Sequence, residues 1–160
     1  MIGPPAVGKT TSVEGWIKNG HIAPESNVDP DFFREFLYSG GPRSQSGEIA
    51  LWAWIDEVLR SRASRHLGLV LSASCVEVWQ LDRRLAAVRG AEVGILRLSD
   101  DLEMLLDRDA RRARSVGPRY LQAAFASFEA EVTVEMLRER VGDLMFLDRS
   151  IALKWFQGGE

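Results

Sequence analysis

Apolar residues in this chain follow two kinds of pattern, and the boundaries between them give the elements. Ile49, Trp52, Ile55 and Leu59 recur three or four residues apart, which predicts one long helix over about 48–65. Helices are also predicted over about 10–19, ended by Gly20, and over about 77–89. Asp29-Pro30 is a start signal, an aspartate to cap free amides and a proline suited to the first helical position. The helix it opens carries Phe32, Phe33, Phe36 and Leu37. Gly117-Pro118 opens another, with Leu121, Phe125, Phe128, Val132 and Met136 along one face. Ser99 reads as the cap of an acidic first turn, Asp100-Asp101.

Between the helices lie short apolar runs, Asn27-Val28, Leu69-Val70-Leu71, Val93 to Leu98 and Leu144 to Leu147. Runs of that kind are strands of a buried parallel sheet. The segment 39–47 is a loop by its Gly, Pro and Ser content, and 157–160 ends a tail. Strands alternating with helices predict an α/β three-layer sandwich, a mostly parallel sheet with helices on both faces.

At 160 residues the chain is expected to form a single domain, 1–160, with a sizeable core. A net charge of −3 argues against a general nucleic-acid coat, while leaving room for a local basic patch that grips a nucleic-acid end. The single cysteine, Cys75, excludes an internal disulfide, and with His21 and His66 it gives no zinc-ligand spacing. No apolar run approaches membrane-spanning length, and no charged region leads into an apolar stretch at the N-terminus, so a cytoplasmic protein is expected. The five tryptophans read as packing residues.

The chemistry sits near the start. Gly3-Pro4-Pro5-Ala6-Val7-Gly8-Lys9-Thr10 fits G-x-x-x-x-G-K-[ST], the phosphate-binding loop of nucleotide triphosphatases and kinases. Glycines at both ends let the backbone curl into a nest of N–H groups, and the helix that follows adds its positive end. Lys9 would reach the outer phosphates of ATP, and the Thr10 hydroxyl would hold a Mg2+ ion bridging them. The expected binding set is Gly3, Pro4, Pro5, Ala6, Val7, Gly8, Lys9, Thr10 and Thr11, with Thr10 the metal ligand. Such a loop follows a central strand of about five residues, yet only Met1 and Ile2 stand before Gly3. The first strand therefore reads as truncated, or the natural chain begins upstream of Met1.

Together with the later motifs, the loop resembles the small P-loop kinases among AAA-type ATP-binding proteins, the group of phage-type polynucleotide 5′-kinases and zeta toxins. The resemblance covers roughly 3–128, with a weaker echo in the last strand, and implies a P-loop NTPase-like fold. Asn27-Val28-Asp29-Pro30-Asp31-Phe32-Phe33-Arg34 is similar to the family element that handles the acceptor. It implies Asp29 as the base for the acceptor hydroxyl and Arg34 near the acceptor or the transferring phosphate; the plain alternative is a helix cap and a solvated arginine. The stretch from Arg108 to Arg114 is similar to the family's lid, about 108–117, with Arg108 and Arg112 on one helix face. Arg111 and Arg114 offer another register, and ordinary Asp107–Arg111 and Asp109–Arg112 pairs are the alternative. Asp148-Arg149-Ser150 is weakly similar to the segment near the adenine.

The sequence departs from the family after the middle strand, where Leu71-Ser72-Ala73-Ser74-Cys75 carries no carboxylate. Ser72 or Ser74 would touch at most a metal-bound water, and Cys75 reads as a small buried residue. The expected activity is transfer of the γ-phosphate of Mg-ATP to a hydroxyl of a nucleotide, nucleic-acid end or sugar nucleotide. The alternative is an ATP-binding module, weakened as a catalyst, that acts through a protein partner. A nucleic-acid-stimulated ATPase is the least favoured reading, because the chain is short and negatively charged.

Overall fold

A computed structural model describes residues 1–39 and 41–158. Gly40 of the predicted loop and Gly159-Glu160 of the predicted tail lie outside the described residues. The elements run α1 (Lys9–Lys18), a 3-10 turn (Pro24–Ser26), β1 (Asn27–Val28), α2 (Pro30–Tyr38), α3 (Gln45–Ser64), β2 (Val70–Leu71) and α4 (Val78–Ala87). They continue with β3 (Ile95–Leu96), α5 (Leu102–Ala110), α6 (Pro118–Glu131), α7 (Val134–Val141), a second 3-10 turn (Gly142–Leu144), β4 (Met145–Phe146) and α8 (Arg149–Phe156).

Two parallel strand pairs, β1 with β2 and β3 with β4, are joined by Ile2. Ile2 bridges Ala73 on one side and Arg97 on the other, both in parallel sense. Its amide donates to the Leu96 carbonyl (2.9 Å), its carbonyl accepts from the Leu98 amide (2.8 Å), and the Ala73 amide donates to the Met1 carbonyl (3.1 Å). The order is therefore β1-β2-Ile2-β3-β4. Met1 and Ile2 thus hold the central position, since the neighbours satisfy them on both sides.

Successive residues of a strand face opposite ways, and Met1 and Ile2 do so. Ile2 packs with Ala73, Ile95, Leu81 of α4, Phe128 of α6 and Leu137 of α7. Met1 packs on the other face with Val13 and Trp16 of α1 and with Leu153 and Phe156 of α8. Val28 and Leu71 complete the first face against Leu51, Ile55 and Leu59 of α3. Helices on both faces of a parallel sheet make the three-layer α/β architecture expected from the alternation of elements.

Several element ends differ from expectation. α3 starts at Gln45, because the Ser44 hydroxyl accepts from the Gly47 amide (3.1 Å) and caps the helix earlier than the apolar pattern begins. Ser99 caps nothing: Asp101 holds the N-cap position of α5, while the Ser99 hydroxyl donates to Glu129 (2.5 Å). The helix predicted from Gly117-Pro118 through Met136 breaks in two. Val132 is buried, its carbonyl accepts from Arg97 Nε (2.8 Å), and the Thr133 hydroxyl caps α7 through the Met136 amide (3.2 Å). The residues after the last strand form α8, where Asp148 accepts from the amides of Ser150 (2.7 Å) and Ile151 (3.1 Å). Two of the tryptophans lie outside the core: Trp79 is 59% exposed, and Trp54, 47% exposed, leans on the exposed Phe36 (6.3 Å between ring centres).

Candidate functional site

The phosphate-loop segment leaves the sheet at Ile2 and enters α1 at Lys9, at the carboxyl ends of the strands, where open α/β sheets bind ligands. At Gly3 a Cβ would stand 2.4 Å from the Leu98 carbonyl oxygen and 2.9 Å from Val7 Cγ1, so only glycine lets the loop pass this close to the neighbouring strand. Gly8 (φ 91°) and Ala6 (φ 64°) are left-handed, and such reversals of hand turn successive amides toward one point. Among the described residues no backbone carbonyl accepts from the amides of Gly8, Lys9, Thr10 or Thr11. Thr10 and Thr11 are exposed at the mouth of α1, whereas Pro4, Pro5 and Val7 are buried beneath the loop.

Lys9 folds back over the loop, its Nζ donating to the carbonyls of Gly3 and Pro4 (2.8 Å each). Burial lowers its pKa to about 8. Cys75, Asp31 and Asp29 work against that fall, and Arg112 adds to it, so the charges of Asp29, Asp31 and Arg112 all bear on the ammonium.

Asp29 follows β1 as the N-cap of α2. Its Oδ1 accepts from the Asp31 amide (2.8 Å), while among the described residues nothing donates to Oδ2. Burial raises its pKa, against the opposing hydrogen bond from Asp31. Capping therefore uses one oxygen and leaves the other for a proton.

Arg34 is not solvated. Its Nε and Nη2 reach Glu48 on α3 (3.0–3.1 Å), its Nη1 reaches Asp31 (2.8 Å), and its plane lies 5.7 Å from the Trp52 ring centre. Arg108 pairs with Asp100 (2.7 Å). α5 ends at Ala110, so Arg112 lies beyond the helix and does not share a face with Arg108, contrary to the sequence reading. The ordinary pairs anticipated there are present, Arg111 with Asp107 (2.7 Å) and Arg112 with Asp109 (3.7 Å). Arg114 crosses to Glu35 of α2. The structure thus holds Arg34, Arg108 and Arg112 against carboxylates, while Lys9 bonds to the loop carbonyls and Asp29 caps α2.

Asp109 was expected only as an ordinary partner of Arg112, and Arg149 only within a segment weakly similar to the one near the adenine, not against the phosphate loop. Buried Asp109 accepts from the Ser115 hydroxyl (2.6 Å) and the amides of Val116 and Gly117 (3.2 Å each). Burial alone would raise its pKa; these hydrogen bonds overcome that and hold it below the usual carboxylate range. Arg149 lies against the phosphate loop, its Nε donating to Ser12 Oγ (2.9 Å). Its partners are far away in sequence, so spacing gave no signal. Ser72 is buried with its hydroxyl unpaired among the described residues, and Ser74 is exposed. Cys75 is buried, and its thiol is pushed up to about 11 by that burial.

A cavity of about 570 Å³ lies at the other end of the sheet, around Gly68, Leu69, Val93 and Gly94, and no residue of the 3–11 segment lines it. Among the described residues no group of three or more His, Cys, Asp or Glu is arranged to hold a metal, and no helix is long and apolar enough to cross a membrane.

The model of the AAA_33 family, an AAA domain, matches residues 1–134. The chain belongs to the AAA domain family. A search of curated proteins found no match. Among solved structures, this AAA domain is similar to a gluconokinase from Sinorhizobium meliloti 1021 (16% identity, TM-score 0.60, 99% of this chain and 87% of that one). It is also similar to a sugar kinase from Janibacter sp. HTCC2649 (19% identity, TM-score 0.57, 80% of this chain and 75% of that one). These likenesses establish the fold, a P-loop NTPase-like α/β sandwich. Neither comparison carries the narrower resemblance to zeta toxins and polynucleotide kinases.

Proposed function

We propose that this AAA domain is an ATP-dependent phosphotransferase acting on a hydroxyl of a small polyhydroxylated acceptor, a sugar or sugar acid. The observation that carries it is the set of amides from Gly8 to Thr11, which no backbone carbonyl among the described residues engages, with Lys9 folded over the loop onto the Gly3 and Pro4 carbonyls. The neighbouring gluconokinase and sugar kinase structures support a sugar-like acceptor over a nucleic-acid end.

In this reading the Gly8, Lys9, Thr10 and Thr11 amides hold the phosphate chain, and Lys9 leaves the Gly3 and Pro4 carbonyls for the outer phosphates. Asp29 orients the acceptor through its free oxygen and takes the proton. Arg112 balances negative charge, and the segment about 108–117 covers the site. Arg34, fixed by Glu48 and Asp31, sets the wall of the acceptor side. The donor set fits magnesium brought in by the nucleotide, because Thr10 offers one exposed hydroxyl and there is no acidic cage among the described residues. That ion would draw charge from the phosphates, and Ser72 offers an unpaired hydroxyl for its water shell.

A binding module without transfer is the second reading, favoured by the occupied fork of Arg34. Calorimetry with Mg-ATP and a phosphate-transfer assay over aldonic acids, aldoses and polyols separate the two. Lys9→Ala is expected to lose nucleotide binding. Asp29→Asn is expected to keep it and to lower transfer about 100-fold or more. ATP binding without transfer to any acceptor favours the module, and equal loss of binding in both variants refutes the division of roles.

A further inference from the structure

We infer that Arg149 is a positioning residue that aims the amides of the phosphate loop; this rests on the reading of the loop as a nucleotide site. Arg149 opens α8, whose first turn is fixed by Asp148 and anchored by Ala152 in the cluster that holds Val7, Leu96 and Leu98. From there Nε donates to Ser12 Oγ (2.9 Å), and Ser12 Oγ donates to the Gly8 carbonyl (2.8 Å). Nη2 reaches the Val7 carbonyl (3.5 Å). The two carbonyls so held share their peptide planes with the amides of Gly8 and Lys9. In a trans peptide the C=O and N–H point opposite ways, so a hold on the carbonyls from outside turns both amides inward. Gly8 is left-handed and Ala6 nearby is too, so the loop lacks the rigidity of a regular element at this point. The Gly8 carbonyl also accepts from the Ser12 amide (3.0 Å), whereas among the described residues no backbone amide donates to the Val7 carbonyl, so the clamp reinforces the first and supplies the hold on the second.

An arginine suits the task because its planar fork reaches two acceptors from one fixed position, which a lysine ammonium does not. A purely electrostatic attraction for phosphate would be kept by Arg149→Lys. A geometric clamp would be lost in it.

The test is calorimetric titration with Mg-ATP and, separately, with Mg-tripolyphosphate, on wild type, Arg149→Ala, Arg149→Lys, Ser12→Ala and the Ser12→Ala/Arg149→Ala double variant, each checked by thermal melting. Arg149→Ala is expected to weaken both ligands about tenfold, with Arg149→Lys close to it. Ser12→Ala is expected to lose part of the same effect, and the double variant to lose less than the sum because both act on one carbonyl relay. Loss of ATP affinity with tripolyphosphate affinity intact would show contact with the nucleoside and overturn the inference. Full rescue by lysine, or additive losses in the double variant, would overturn it as well. Wild type that binds neither ligand overturns the nucleotide reading and the clamp with it, whereas wild type and Arg149→Ala that bind tripolyphosphate equally overturn the clamp alone.

Discussion

Lys9 is held where burial and phosphate binding pull its ammonium in opposite directions. Burial brings its pKa down to about 8, so between pH 8 and the ordinary lysine range the unfolded chain keeps a proton that the folded chain has lost. On this group's account, folding stability rises with pH across that window. Phosphate binding runs the other way, because it needs the charged form. Affinity for Mg-ATP is expected to be about tenfold weaker at pH 9 than at pH 7, following the loss of one proton. Titrations at a series of pH values check this; a wild-type profile flat from pH 7 to 9 would remove Lys9 from the binding site. The residues of this loop were legible in the sequence because their chemistry is local: both glycines, the lysine and the threonine lie within eight positions. Asp29 was legible for the same reason, through the Asp-Pro start signal. The contact of Arg149 with the loop was not, since its bonds to Ser12 and Val7 span 137 and 142 residues; the resemblance placed its segment only near the adenine.

Helix starts were read well where a cap and an apolar pattern agree, as at Asp29-Pro30 and Gly117-Pro118, and poorly where tertiary contacts end an element. α6 stops at Val132 because a buried arginine from beyond β3 takes its carbonyl, which the unbroken apolar face from Leu121 to Met136 does not reveal. The arginine-dense stretch shows the same limit. Its charge suggested one continuous helical face, but α5 ends at Ala110, and Asp109 gathers the following turn through Ser115, Val116 and Gly117. Arg114 lies just before these residues, and its pair with Glu35 ties the segment to α2. Asp109→Ala leaves those donors without their acceptor and is expected to destabilise the chain by about 1–3 kcal/mol. Hydrogen exchange should show the effect concentrated in the 111–117 amides, with α1 protection little changed. Protection of 111–117 equal to wild type would mean that Asp109 does not organise this segment.

Across the whole molecule, the three layers follow from alternating strands and helices, and that alternation was plain in the sequence. The central position was less plain, because Ile2 bridges Ala73 and Arg97, 71 and 95 residues away, and such partners leave no local pattern. What joins α3 to α4 was hidden too. Asp56 is buried and pairs with Arg84, itself buried, and with Arg83 (2.9 Å), while Arg84 stacks on Trp52 (4.3 Å). In the sequence Asp56 stands beside the helix's apolar stripe, where a carboxylate looks solvated. Removing one member of a buried pair leaves the other charge uncompensated, so Asp56→Ala is expected to cost about 3–5 kcal/mol. At this chain length that lowers Tm by roughly 10 °C. Replacing both charges, as Asp56→Leu with Arg84→Met, removes the stranded charge and is expected to recover most of the loss. Thermal melts of the single and double variants decide it. None of these residues touches the phosphate loop, so Mg-ATP affinity measured well below Tm should stay at the wild-type value. A single variant that melts with wild type would mean that water reaches Arg84 and the pair is not sealed inside the helix layer.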